Sequence, residues 1–253
     1  MRLQFIVCKV LQREAYYCAA RSRNAVDVVV MRQGLHNEPE KLRGEIQKAL
    51  DIASDISAVG NADGETSPKG GQEKPYDATL LGYGLCSNGI VGLGSRIPII
   101  VPRGHDCVTL LLGSKDKYKD YFDSHKGVYW FSPGWIETDT QPGKERFERT
   151  LKEYIAKYGQ DNARYLMTAE QNWLKEYHWA TYIDWGFANS LAEKEYTKQA
   201  AEHLGWNYDI VKGDSGLMQR MVDGVWDERE FLIVKPGQKI TENLTNEGII
   251  KAG

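Results

Sequence analysis

The chain has 253 residues, of which 42% are hydrophobic and 26% are charged. A chain of this length and composition can bury a substantial core, which excludes a disordered, collagen-like or coiled-coil protein. Lys and Arg number 32 against 35 Asp and Glu, so the formal charge of −3 gives no support for nucleic-acid binding.

The apolar run at residues 3–11 is the first element of the chain. Gln4, Cys8 and Lys9 interrupt it and no small-residue cleavage site follows, so we interpret it as a strand and not as a signal peptide. No segment approaches the ~20 apolar residues needed to cross a bilayer. The sequence therefore predicts a cytoplasmic protein that binds neither membrane nor nucleic acid. Its cysteines are expected to be reduced, as thiols or metal ligands.

Strands and helices alternate through the first half of the chain. Four apolar or β-branched runs are predicted strands: 3–10, 26–31, 78–82 and 97–101. A helix beginning near Pro39 is predicted by apolar side chains that recur every 3.6 residues: Leu42, Ile46, Ala49, Leu50 and Ala53. The polar stretch 59–77 is typical of a mobile surface loop or an insertion, and we assign it no function.

The second half repeats the alternation and is rich in aromatic residues. Four further strands are predicted: 128–131, 181–184, 208–211 and 231–234. All seven tryptophans lie after residue 129, whereas all four cysteines lie within the first 107 residues. Because alternating strands and helices form parallel sheets, we expect an α/β protein. Its two Rossmann-like parallel-sheet units, each with flanking helices, would be residues 1–127 with the cysteines and residues 128–253 with the aromatics. One extended parallel sheet is the alternative.

Three cysteines are predicted to meet at one edge of the first sheet. Cys8 lies toward the end of the first strand, Cys86 follows the third and Cys107 follows the fourth. Open parallel sheets bind ligands beyond the carboxyl ends of their strands. If the first, third and fourth strands are neighbours, their ends span about 10 Å. Zinc accepts three thiolates and leaves a fourth position for water or substrate, and an iron–sulfur cluster with one open iron would use the same residues. Metal-free reactive thiols and inert buried cysteines remain alternatives, because no CxxC pair is present.

The glycine-rich turn at 82–94 is a candidate cofactor-binding element. It matches neither the dinucleotide fingerprint nor the nucleotide P-loop. We expect it to form a helix N-terminus, where the free amides of Ser87, Asn88 and Gly89 would bind an anion and lower the pKa of Cys86. A tight strand-to-helix connection that needs small residues is the alternative.

Three ionisable residues near the cysteines in the chain are further candidate site residues. Arg103 could hold a carboxylate or phosphate of a cofactor, or simply pair with Asp106 at the surface. His105, two residues before Cys107, is a candidate proton carrier or further metal ligand. Glu14 is a second candidate proton carrier, with a solvated surface glutamate as the alternative.

Three stretches near the cysteines, CKVLQRE, YGLCSNG and IPIIVPRGHDCVTLLLGSKDKY, resemble an uncharacterised family of methanogenic archaea and anaerobic bacteria. The motifs YWFSPGW, YIDWG, KGDSGL and FLIVKPG extend the resemblance over most of the chain. Genes of that family often lie beside those of corrinoid-dependent methyltransferases, and its motif cysteines correspond to Cys8, Cys86 and Cys107. The resemblance implies a cellular setting in one-carbon metabolism and not a mechanism.

Three functions are therefore open, and the sequence does not decide whether the protein is an enzyme. The first is a zinc-dependent enzyme or accessory in corrinoid-linked methyl transfer, in which zinc lowers the pKa of a bound thiol substrate. The second is a non-catalytic module whose aromatic half binds a corrinoid or a methyltransferase, although no Asp-x-His-x-x-Gly corrinoid motif is present. The third is an iron–sulfur redox protein. The expected partners are a small-molecule substrate or the corrinoid methyltransferase system, and a homo-oligomer is compatible with the sequence.

Overall fold

A computed structural model of the protein describes residues 1–62, 74–243 and 249–253. These residues form two compact units, one of residues 1–115 with 214–253 and the other of residues 116–213. The domain boundary expected at residues 127 and 128 stays a prediction, since compact packing does not test which segments fold independently.

The secondary-structure elements are numbered along the chain. The strands are β1 (Arg2–Cys8), β2 (Ala25–Met31), β3 (Ala78–Gly82), β4 (Ile99–Pro102), β5 (Val128–Phe131), β6 (Trp179–Asp184), β7 (Asn207–Lys212), β8 (Phe231–Val234), β9 (Ile240–Glu242) and β10 (Ile250–Ala252). The α-helices are α1 (Gln12–Arg21), α2 (Pro39–Ala62), α3 (Val108–Leu112), α4 (Lys115–Ser124), α5 (Pro133–Thr138), α6 (Lys144–Tyr158), α7 (Gln160–Glu170), α8 (Ser190–Leu204) and α9 (Gly216–Asp223). Short 3₁₀ turns lie at Lys9–Leu11, Leu35–Asn37 and Gln171–Glu176.

The first unit is built on a five-stranded sheet in the order β2-β1-β3-β4-β8. Strands β1 to β4 pair in parallel, so the condition that the first, third and fourth strands be neighbours is met. Strand β8 pairs antiparallel with β4, with Val234 opposite Ile99. Its expected place in the second half of the pattern is therefore wrong, because a short, fully apolar run specifies neither the direction nor the partner of a strand.

The core of the first unit lies against β1 and β3. Apart from Arg2, every residue of β1 is buried, as is every residue of β3, which is typical of parallel strands covered on both faces. The predicted stripe of helix α2 is confirmed, since its five apolar side chains are all buried. Helix α2 continues to Ala62, so the loop expected at 59–77 is wrong for residues 59–62. Residues 63–73 of that loop lie outside the described residues.

The second unit is built on a three-stranded parallel sheet in the order β5-β6-β7, and these three predicted strands are confirmed. Helix α8 packs against it through Ala200 and Ala201, which contact a buried cluster that includes Phe131 and Tyr182. Trp206 and other aromatic rings pack against the same cluster and extend the core. The protein therefore has a mixed α/β fold with parallel-rich sheets and flanking helices, as predicted. Among the described residues, no helix is both long enough and apolar enough to span a bilayer.

Candidate functional site

Three thiols gather at the carboxyl edge of the first sheet. Cys8 ends β1, while Cys86 and Cys107 lie in the loops that follow β3 and β4, the two strands next along the sheet. Burial raises the pKa of Cys107 well above its usual value, and the charges of Asp106, Cys86 and Cys8 raise it further. The three thiols are thus close enough to act on one another electrostatically.

Direct backbone pairing of the two loops brings Cys86 and Cys107 together. The amide of Leu85 donates to the carbonyl of Gly104 at 2.9 Å, and the amide of Cys86 donates to the carbonyl of His105 at 3.1 Å. Gly84 permits this approach, because a Cβ atom there would lie 2.5 Å from the backbone nitrogen of Asp106. The glycine is therefore required for close packing at this position.

The turn after β3 is left-handed and does not begin a helix, so the predicted helix N-terminus is wrong. Cys86, Ser87 and Asn88 have φ angles of 46°, 55° and 64°. The amide of Gly89 is not free, since it donates to the carbonyl of Cys86 at 3.0 Å. A left-handed residue other than glycine costs about 1–2 kcal/mol, so surrounding contacts must hold the turn. One of them is the guanidinium of Arg43, which donates to the carbonyl of Asn88 at 3.1 Å.

The predicted lowering of the Cys86 pKa is also wrong. Burial raises the pKa of Cys86 to about 12, with further contributions from the charges of Asp106 and Cys8. Burial likewise raises the pKa of Cys8, although hydrogen bonds from the backbone of Val10 and Lys9 oppose the rise. The physical reason is that Cys86 does not begin a helix and lies near the Asp106 carboxylate, so its hydrogen bond with the backbone of Gly84 does not outweigh the desolvation of a thiolate. Without a bound metal, these thiols are protonated near neutral pH.

Tyr83 is a site residue that the sequence analysis missed. Its side chain is only 3% exposed, and its hydroxyl has no hydrogen-bond partner within the part of the chain that the structure describes. Burial raises the pKa of Tyr83, and the charges of Cys8, Cys86 and Cys107 raise it further. The one signal in the sequence is its position directly after a buried strand, which does not reveal whether the hydroxyl is satisfied.

Asp106, Arg103 and His105 lie in the loop after β4. The Asp106 carboxylate accepts a hydrogen bond from the amide of Val108 at 2.9 Å. Arg103 donates to the backbone carbonyls of Glu228 at 2.8 Å and Ile250 at 2.7 Å, so its guanidinium ties the loop to the C-terminal segment. The side chain of His105 is exposed. The roles predicted for Arg103, His105, Ser87, Asn88 and Gly89 stay predictions.

Glu14 is completely buried in α1, so the alternative of a solvated surface glutamate is wrong. Cys18 lies one turn further along the helix and is also completely buried, so it is a core residue. Burial raises the pKa of Cys18 to about 12, and the charge of Glu14 contributes. Glu14 thus acts on Cys18, and its predicted role as a proton carrier stays a prediction.

The side chains at the thiol site do not have the geometry of a metal-binding site. Within residues 1–62, 74–243 and 249–253, no group of three or more His, Cys, Asp and Glu side chains has a geometry that could hold a metal ion. All four cysteines are free thiols. Coordination by Cys8, Cys86 and Cys107 would require their side chains to turn toward a common centre.

The fold and the site define an α/β protein with free thiols at the carboxyl edge of a parallel sheet. The chain belongs to the family described as "Protein of unknown function (DUF1638)", whose model matches residues 30–222. The matched range begins after Cys8 and contains Cys86 and Cys107. No match was found among curated proteins or among solved structures.

Proposed function

We propose that the first unit binds a soft metal ion, in the first place zinc, through the thiolates of Cys8, Cys86 and Cys107. The observation that carries the proposal is the position of the three thiols at or just beyond the carboxyl ends of three adjacent parallel strands. Thiolate sulfur is a preferred ligand of zinc, and three protein ligands leave a fourth tetrahedral position for an exogenous ligand. Binding would replace the three thiol protons, which leave as H⁺.

The position of the thiols in the sheet supports a ligand site. The parallel order β2-β1-β3-β4 favours a Rossmann-like description of the first unit, and such sheets bind ligands beyond the carboxyl ends of their strands. Cys86 lies on a left-handed turn, and strained backbone of this kind is concentrated at functional sites. These two features favour a functional site over three unrelated core cysteines.

Within this proposal the protein is a zinc-dependent enzyme or accessory in corrinoid-linked methyl transfer. Zinc bound to an exogenous thiol would lower the pKa of that thiol and supply a thiolate nucleophile. His105, whose exposed side chain lies two residues before Cys107 in the chain, would exchange the proton with solvent, and Glu14 would be a second carrier. The link to corrinoids rests on the resemblance of the cysteine motifs to proteins encoded beside methyltransferases.

Metal analysis of anaerobically purified protein tests the proposal. We expect about one zinc ion per chain, lost in Cys86→Ser and in Cys107→Ser. Cys18→Ser is the matched control, because Cys18 is a buried thiol of the same unit that lies in α1 and not at the strand ends. A wild-type protein that stays metal-free after incubation with zinc would contradict the proposal, as would equal zinc loss in Cys18→Ser.

The same anaerobically purified protein distinguishes the two alternative cofactors, an iron–sulfur cluster and a corrinoid. A brown protein with absorption near ~400 nm would indicate an iron–sulfur cluster on the same cysteines. Quenching of tryptophan fluorescence by an added cobamide, with no zinc bound, would favour a corrinoid-binding module in the second unit.

A further inference from the structure

A polar cleft of the first unit lies beside the N-terminal half of helix α2. Its volume is about 570 Å³, within the range of ~300–1,000 Å³ that is usual for small-molecule sites. Four of its ten lining residues are glycines, and the other six have polar or charged side chains: Glu40, Arg43, Gln47, Ser95, Gln238 and Lys239. None of the described cysteines lines the cleft, so a ligand bound here would not depend on the proposed metal site.

Backbone pairing fixes one side of the cleft. The amide of Gly92 donates to the carbonyl of Ile240 at 2.8 Å, and the amide of Ile240 donates to the carbonyl of Leu93 at 2.9 Å. Gly94 lies opposite Lys239 in the same antiparallel pairing, and a Cβ atom at Gly94 would lie 3.2 Å from the Cγ of Lys239. The lysine side chain therefore starts from a fixed position against this glycine.

Two cationic side chains border this side of the cleft. Arg43 extends from α2 over Gly92, at which a Cβ atom would lie 3.8 Å from the Cδ of the arginine. Its guanidinium donates to the carbonyl of Asn88 through Nη2 and makes no ion pair with any described residue. Lys239 is exposed and likewise has no ion pair in the described part of the chain. Because Gly92 and Gly94 are at most ~7 Å apart, the two cations border the same part of the cleft.

We propose that the cleft binds a small phosphorylated polyol, such as a sugar phosphate. An arginine and a lysine together suit a phosphate dianion, since the planar guanidinium binds two oxygens and the ammonium binds a third. The carboxylate of Glu40, which also lines the cleft, accepts hydrogen bonds and suits the hydroxyl groups of the same ligand. The lining contains no aromatic or aliphatic side chain among the described residues, which disfavours a nucleotide, whose base needs a stacking partner.

Calorimetric titration of the whole protein with ribose 5-phosphate tests the proposal. We expect the wild type to bind and Lys239→Gln to bind about tenfold more weakly, as loss of one hydrogen bond between charged groups implies. Lys235→Gln is the matched control, because this exposed lysine lies in the same connection between β8 and β9 but does not line the cleft. Absence of binding by the wild type at millimolar ligand, or equal weakening in the two lysine variants, would overturn the proposal.

Glu40→Ala distinguishes the phosphate from the polyol part of the ligand. The carboxylate repels a phosphate but accepts hydrogen bonds from hydroxyl groups. Its removal should therefore strengthen the binding of inorganic phosphate and weaken that of ribose 5-phosphate, whereas a structural role would change both affinities in the same direction. Stronger binding of both ligands by Glu40→Ala, or equal affinity of the wild type for both, would overturn the polyol part and assign the cleft to free phosphate.

Discussion

Replacement of Gly84 by alanine tests whether the close approach of the two loops holds the thiol site together. The new Cβ would lie 2.5 Å and 2.7 Å from the nitrogen and Cα of Asp106 and 2.8 Å from the carbonyl carbon of His105, whereas ordinary contacts begin at 3.4 Å. All three atoms belong to the backbone, so no side chain can move aside. The loops must separate by about 0.9 Å, the difference between 3.4 and 2.5 Å.

This separation determines the size of the effect. The two hydrogen bonds between the loops, now 2.9 and 3.1 Å, would lengthen beyond the normal range. Loss of each bond costs about 1 kcal/mol, and overpacking costs about 1–3 kcal/mol when the structure relaxes in part. Gly84→Ala should therefore lower the free energy of unfolding by about 3–5 kcal/mol and weaken zinc binding.

Urea unfolding and hydrogen exchange measure the two parts of this effect. The amides of Leu85 and Cys86, which form the bonds, should exchange faster in Gly84→Ala. Gly44→Ala is the control, because no atom lies within 4 Å of its Cβ in helix α2 and alanine there should stabilise by about 0.5–1 kcal/mol. If Gly84→Ala were as stable as the wild type, with both amides still protected, the proposed packing of the loops would be refuted.

Substitutions at three further positions test the hydrogen bond that holds the turn, the backbone conformation of the turn and an acid-sensitive ion pair. Arg43→Gln removes the hydrogen bond to Asn88 and should lower the free energy of unfolding in urea by about 1 kcal/mol. An unchanged urea midpoint would contradict the role of Arg43 in holding the turn. Ser87→Gly should raise the melting temperature and Ser87→Val should lower it, because only glycine accepts a left-handed φ without strain; equal effects would refute the left-handed turn. Burial raises the pKa of Asp184, but hydrogen bonds from Lys194 and a backbone amide outweigh it and lower the pKa overall. A lowered carboxyl pKa stabilises the fold above the unfolded pKa of about 4, and this contribution is lost as the pH falls through the folded value. The free energy of unfolding of Asp184→Asn should therefore be about 0.5–1 kcal/mol lower at pH 7, and it should fall less steeply than that of the wild type between pH 7 and pH 2. An equally steep fall in both proteins would contradict the ion pair.

The sequence predicted the elements whose side chains repeat regularly. The period of 3.6 residues located the buried face of helix α2, and runs of β-branched and apolar residues located β1 to β4. The adjacency of β1, β3 and β4 was expected only as a condition for the thiol site, and the structure meets it. Periodicity works for α2 because one face of that helix is buried, and continuous apolar runs work for β1 and β3 because both faces of those strands are buried.

The missed features depend on contacts between distant segments. Strand β8 consists of four apolar residues, and its antiparallel direction depends on its pairing with β4. The left-handed turn contains Cys86, Ser87 and Asn88, and none of these is a glycine that would signal positive φ in the sequence. Whether the hydroxyl of Tyr83 finds a partner depends on which side chains surround it, and a sequence pattern does not contain that information.

The late position of β8 in the chain has a consequence for biosynthesis. Strand β4 is complete at Pro102, but its antiparallel partner is translated only at Phe231–Val234. More than a hundred residues must therefore leave the ribosome while one side of β4 still has unpaired amides and carbonyls. Such an open edge is a template for association with other nascent chains. We expect chains that stop before Phe231 to aggregate or to be retained by chaperones, and addition of the last strand to release them.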